Sequence, residues 1–180
     1  GSFELSMSNK RIYIRDVRSS DKREVVALAN AGAEIHQPWI SPPLTPNMFK
    51  SYLRRCHRDD HEGFAVCLVK TEEIVGVINI NNIVRGSFLS ASIGYYSSAT
   101  HQGVGYMTEA LQLVLRFAFD ELGLHRIEAN IQPNNYASRN LVQRCGFILE
   151  GESKDFLFIN GRWRDHERWV RVDARNRLTR

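Results

Sequence analysis

The chain has 180 residues, 43% of them hydrophobic, which suits one domain built on a single core. Its 24 basic and 20 acidic residues leave a net charge of +4 spread without runs, a balance that tolerates anionic ligands and does not by itself argue for nucleic acid. No apolar run reaches the ~18 to 20 residues of a membrane span and no signal peptide is visible.

In chain order, Gly1-Ser2 reads as a cloning scar, and Arg11 to Arg15 alternates as a first strand. Asp21 and Glu24 open a helix that carries Val25, Leu28 and Ala29 inward. Gln37 to Pro43 is too rich in proline to be regular. Thr45-Pro46 restarts the chain as a cap followed by proline in the first turn, with Phe49, Tyr52, Leu53 and Cys56 on one face of a second helix. Gly63 to Lys70, Ile74 to Ile83 and Phe88 to Ser97 form an antiparallel meander. An amphipathic helix then ends near Gly123, and Arg126 to Ile131 is a strand reached through it, hence parallel to the strand before. A short helix from Asn135 to Cys145 stops at Gly146, and Phe147 to Ile159 pairs with Arg162 to Val170 across an Asn160-Gly161 hairpin turn.

Between the third strand of the meander and the long helix lies Gln102-Gly103-Val104-Gly105-Tyr106-Met107. Glycines at 103 and 105 permit positive φ and remove Cβ atoms, so successive backbone N–H groups can converge on an anion at a helix N-terminus. The third glycine of a dinucleotide fingerprint and the Gly-Lys-Ser/Thr of a P-loop are both missing. On its own the string reads equally as a tight turn. Cys56, Cys67 and Cys145 are odd in number and lack metal-like spacing, which points to reduced thiols in a cytoplasmic protein without a metal. Cys145 reads as a packed core residue.

Together with the Pro133-Asn134-Asn135-Tyr136-Ala137-Ser138 turn and the Cys145-Gly146-Phe147 helix end, this loop makes the chain resemble the GNAT acyltransferases that use acetyl-CoA. Asn82 to Phe88, His125 to Asn130 and Gly161 to His166 are similar to strings of the Rim-type ribosomal-protein alanine N-acetyltransferases. The resemblance runs from about residue 11 to 170 and implies a single α+β domain over residues 3–180. Its mixed, mostly antiparallel sheet has about seven strands, splayed between the fourth and fifth and flanked by about four helices. Met107 departs from the Gln/Arg-x-x-Gly-x-Gly/Ala motif and would narrow the approach to the phosphates.

The resemblance assigns cofactor contacts to Ile93, Gly94, Tyr95, Gln102, Gly103, Val104, Gly105, Tyr106, Met107, Asn135 and Ser138. Gly94 fits a bulge or a close ligand approach. Ser138 is the expected proton donor to the thiolate, with Tyr136 as its rival, and Glu128 the expected base acting through water. Glu109 is expected to serve the helix dipole, and Asp165 and His166 to lie on the acceptor side. The implied reaction is direct transfer, in a ternary complex, from acetyl-CoA to the N-terminal alanine or similar small residue of a ribosomal protein. A small amine (polyamine, aminoglycoside or amino acid) is the alternative acceptor, and a non-catalytic CoA-sensing or ribosome-binding module the alternative of another class. The chain would act as a monomer or homodimer, and its tail, Arg171 to Arg180, is either a weak RNA contact or a solvated end.

Overall fold

A computed structural model describes residues 6–36 and 39–175. Eight strands form one sheet in the order β1-β2-β3-β4-β5-β6-β8-β7. They are β1 (Ser6–Ser8), β2 (Ile12–Asp16), β3 (Glu62–Leu68), β4 (Ile74–Val84), β5 (Ser90–Ser97), β6 (Arg126–Ile131), β7 (Ile148–Ile159) and β8 (Arg162–Val172). Every neighbouring pair is antiparallel except β5 and β6. The α+β architecture is the expected one, with β1 added at the edge. The splay therefore falls between β5 and β6.

The helices are α1 (Lys22–Ala31), α2 (Ala33–His36), α3 (Pro46–Cys56), α4 (Tyr106–Arg116, prolonged by a π-type turn over Phe117–Glu121) and α5 (Tyr136–Arg144). The Thr45 hydroxyl accepts from the Met48 N–H at 3.1 Å, so α3 starts where a cap followed by proline demands. The opening of α1 differs from the capping reading. Asp21 is gripped by both terminal nitrogens of the Arg15 guanidinium at 2.8 Å, and Glu24 reaches across to accept from the Ile74 N–H at 2.7 Å, so these carboxylates tie the helix to the sheet.

Each face of the sheet has its own helices. Val25, Leu28, Phe49 and Tyr52 of α1 and α3 pack with Ala65, Val77 and Tyr96 on one face. Leu111, Val114 and Leu115 of α4 pack with Ile78, Ile80, Ile93 and Ile127 on the other. Gly63 shows how closely α3 approaches: a Cβ there would lie 2.5 Å from the Tyr52 hydroxyl and 2.6 Å from the Cys56 sulfur. Gly63→Ala is expected to lower stability by about 1 to 3 kcal/mol through overpacking, read as a lower denaturant midpoint at unchanged slope.

The β5–β6 ladder runs from Ser90↔Arg126 to Ile93↔Ala129 and stops, although β5 continues to Ser97 and β6 to Ile131. Alternate residues of a strand present N–H and C=O to alternate neighbours, so beyond Ile93 the β6-facing edge of β5 has no strand partner among the described residues. That gap joins the two faces. Gly94 itself pairs regularly with Asn79, so it carries no bulge; the register shift lies between Asn81 and Val84, where Asn82 takes φ 54.

Candidate active site

Two adjoining cavities meet at the gap. A cleft of about 190 Å³ runs beside β5 and the start of α5, lined by Gly94, Tyr95, Gln102, Met107, Asn135 and Ser138 among others. A larger cavity of about 680 Å³ opens on the α1/α3 face, where Gly94, Glu128, Asn130, His61, Arg55 and His166 contribute walls. Trp39, Ile40, Ile93, Gly94 and Asn130 border both.

Register explains which side chains face which cavity. Asn79 opposes Gly94, Asn81 opposes Ser92, and Ser92 opposes Glu128, so a polar row crosses the sheet on the face of the larger cavity. Tyr95 opposes Ile78 and turns to the other face. There its hydroxyl is hydrogen-bonded to the Ser138 hydroxyl, and burial pushes the phenol well above its ordinary range.

Glu128 reaches into the larger cavity with its side chain a quarter exposed. One of its oxygens accepts from the Arg126 guanidinium and the other from the Asn130 amide, both at 3.2 Å. His166 is buried beside this cavity with Nδ1 bonded to the Arg164 carbonyl at 3.0 Å. Asp165 turns away and accepts from the Asp155 N–H at 2.9 Å.

Gly103 and Gly105 take φ of 77 and 89 at the head of α4. The first helical bond there is Glu109 N–H to the Gly105 carbonyl at 3.2 Å, and no side chain caps Gly105. The N–H groups of Tyr106, Met107 and Thr108 therefore precede the helical ladder and face an exposed loop, Gln102 to Gly105. Met107 does not crowd that loop. Its sulfur occupies the space a Cβ at Gly76 would need, which places the side chain under the helix against β4.

Asn135 caps α5, its side-chain oxygen accepting from the Ser138 N–H at 3.3 Å, while it also lines the cleft. Tyr136 goes elsewhere: its ring is 65% exposed, lies under the Arg139 guanidinium and lines neither cavity. The position beside Ser138 belongs to Tyr95, because a helix residue two places before Ser138 points to a different side from it.

Several participants carry no sequence signal. Arg11, just before β2, donates to the Val104 carbonyl at 3.0 Å, pairs with Glu109 and lies over the Tyr106 ring, so Glu109 holds the loop's clamp in addition to sitting at the helix start. His36 Nε2 and the Tyr96 hydroxyl are buried without partners among the described residues, and both residues line the smaller cleft. An amide-bearing arm laid in that cleft would supply what these atoms lack. The glycine loop, the unpaired β5 edge and these two orphaned atoms together fit a pantetheine chain ending in a pyrophosphate.

The three thiols are free and buried, and burial raises that of Cys145 to about 11, which suits the core role expected of it. Among the described residues no group of three or more His, Cys, Asp or Glu is placed to hold a metal, and no helix is long and apolar enough to cross a membrane. Arg171 bonds the Cys145 carbonyl at 2.8 Å and Arg175 pairs with Asp120 and Asp173, so the start of the basic tail is held by the fold. The rest of the tail, Gly1-Ser2, and Gln37 and Pro38 of the proline-rich segment lie outside the described residues.

Residues 11–148 match the family model of the acetyltransferase (GNAT) domain. A probable N-acetyltransferase of Bacillus subtilis, YjcK, is 30% identical over 89% of this chain and 93% of its own. The [ribosomal protein uS5]-alanine N-acetyltransferase of Escherichia coli is 46% identical over 53% of this chain and 49% of its own. A spermidine N(1)-acetyltransferase of Vibrio cholerae is 28% identical over 89% and 92%. Among solved structures, Mycobacterium smegmatis RimJ in complex with CoA-disulfide superposes with a TM-score of 0.86 at 27% identity, covering 98% of this chain and 90% of its own. With a family model spanning most of its length and the fold to match, the chain belongs to the GNAT acetyltransferases and is an acyltransferase that uses acetyl-CoA.

Proposed function

We propose that the enzyme acetylates the α-amine of a protein N-terminus in the cytoplasm, with alanine or a similarly small first residue of a ribosomal protein as the acceptor, by direct transfer in a ternary complex. One observation supports this reading: the cavity is large and, among the described residues, bears no excess of acids. Its 680 Å³ exceeds what one small residue fills, and the hairpin residues Phe156, Leu157 and Ile159 form one wall. Its acids, Asp60 and Glu128, are each paired with an arginine of the same cavity, Arg58 and Arg126, and Arg55 adds a further positive charge. A polyamine would bring two or more ammonium groups into that excess. A relative that acts on spermidine keeps the small-amine alternative worth testing.

The chemistry suits an α-amine. With a pKa of ~7.7 to 8.0 it is ~10 to 20% neutral at pH 7, against less than ~0.1% for a lysine amine, so weak assistance suffices. Acetyl-CoA supplies the acetyl thioester. On this reading Gln102 to Met107 hold the pyrophosphate, clamped by Arg11, and Asn135 with the backbone of Ile93, Gly94 and Tyr95 holds the arm so that the thioester lies in the gap at Gly94. Glu128, facing the cavity beside Asn130, takes the proton of the acceptor ammonium through water. The amine then attacks the carbonyl carbon, the C–N bond forms, the C–S bond breaks, and the leaving sulfur takes a proton from the Tyr95–Ser138 hydroxyl pair. The proton lost by the newly acylated nitrogen returns to solvent.

The test is a screen with thiol release as the readout, using peptides that begin with Ala, Ser or Met against spermidine and aminoglycosides. Peptides beginning with Ala are expected to be turned over most efficiently. Activity confined to the small amines would overturn the N-terminal reading.

A further inference from the structure

His61 sits in the wall of the acceptor cavity, 2% exposed, with neither ring nitrogen hydrogen-bonded within the described chain. Buried polar atoms without partners cost stability, and one facing a ligand cavity marks a group that waits for a ligand. Among the described residues its surroundings do not supply the partner. The Tyr52 ring packs edge-on against it at 6.0 Å, but the Tyr52 hydroxyl is spent on the Asn79 side chain. Asn81, on the same sheet face, lies near enough to influence its protonation without making a bond of good geometry.

The nearby charge is positive. Burial first and the Arg55 guanidinium second hold the His61 pKa down to about 4, with Asp60 opposing them, so the ring is neutral at pH 7 and offers one N–H. Arg55 lies over the Tyr52 ring at 5.6 Å and has no ion pair among the described residues, whereas Arg58 and Arg126 are matched by Asp60 and Glu128. An N–H donor and a guanidinium without a carboxylate among the described residues thus lie near each other in the wall of one cavity.

We propose that His61 and Arg55 form a carboxylate-binding subsite, so that the preferred acceptor carries an anionic group a short distance from its reacting amine. In a peptide this is an acidic side chain at the second residue; in a free amino acid it is the α-carboxylate. The subsite rests on the N-terminal reading for the first source only. It gives the cavity selectivity against polyamines that its volume alone does not.

The experiment compares kcat/KM for three amidated tetrapeptides that begin with Ala and differ only in Glu, Gln or Lys at the second position, beside free alanine and alaninamide, with spermidine as a further arm. Hydrogen bonds to a charged group suggest a preference of about tenfold or more for Glu over Gln. In Arg55→Gln, and separately in His61→Phe with its melting temperature checked, the Glu-to-Gln ratio is expected to fall toward one. Preference for alanine over alaninamide that falls in the same variants would assign the carboxylate to a free amino acid. Peptides acetylated regardless of the second residue overturn the subsite and leave the N-terminal reading standing. Turnover restricted to spermidine, or no turnover of any amine, overturns both. Because Arg55 is exposed, its variant decides the matter even if His61→Phe fails to fold.

Discussion

Replacing Tyr95 with Phe is expected to lower kcat about a hundredfold while the KM for acetyl-CoA stays within about threefold. The substitution removes one oxygen from a ring already fixed by burial, and the gap between β5 and β6 should keep its shape. What is lost is the hydroxyl bonded to Ser138 in the wall of the cleft beside α5. Ser138→Ala leaves the phenol in place and is expected to cost less, about tenfold, because Tyr95 then donates unaided. The pH profile offers an independent check. Burial raises the Tyr95 pKa above its unfolded value near ~10, so the phenol stays protonated throughout the neutral and mildly alkaline range. For an Ala-peptide the rate should climb about tenfold per pH unit below the α-amine pKa of ~8, then level off without an alkaline fall before pH ~10. A rate that already declines between pH 8 and 9, or a Tyr95→Phe enzyme with unchanged kcat, would remove Tyr95 from the mechanism.

Tyr95 also shows where reading the sequence stops. Local patterns were enough for α3, whose cap, proline and buried Phe49, Tyr52 and Cys56 all lie within a dozen residues, and for the hairpin turn, where Asn160 and Gly161 take φ of 52 and 86. The β5–β6 pairing followed from the helix between two strands. Contacts between distant segments were another matter. Tyr95 and Ser138 are 43 positions apart, and only the parity of β5 decides that residue 95, not 94 or 96, faces α5. Tyr136 looked eligible through proximity in sequence, yet a helix turns it outward. β1 is three residues, Ser-Met-Ser, with no apolar alternation to announce it. His61 and Arg11 are single polar residues at strand starts, and their meaning comes from what α3 and α4 bring against them. The resemblance singled out the glycine loop but not these two.

Gly105→Ala should raise the KM for acetyl-CoA about tenfold with kcat little changed. Gly105 takes φ 89, where an L-residue costs roughly 1 to 2 kcal/mol, and 1.4 kcal/mol corresponds to a factor of ten. The chain relieves that strain by rotating the peptide, which moves the N–H groups of Tyr106 and Met107 off the line they hold at the head of α4. Space is a minor consideration, since among the described residues a Cβ at 105 meets the Arg11 guanidinium at 3.4 Å and one at Gly103 meets nothing within 4 Å. Gly103→Ala, with φ 77, therefore isolates the backbone effect and is expected to act in the same direction. Arg11→Ala separates the clamp from the loop: it frees the Val104 carbonyl and leaves Glu109 bonded to the Asn9 amide, without straining a glycine, so its KM effect should be smaller and more sensitive to salt. Initial rates at saturating acceptor give the three values. If both glycine variants lose melting temperature while the KM for acetyl-CoA stays put, the loop is a structural turn and the pyrophosphate is held elsewhere. If KM rises at constant kcat, the strain has been placed on ground-state binding of the donor, as expected for residues that hold the pyrophosphate far from the reacting carbon.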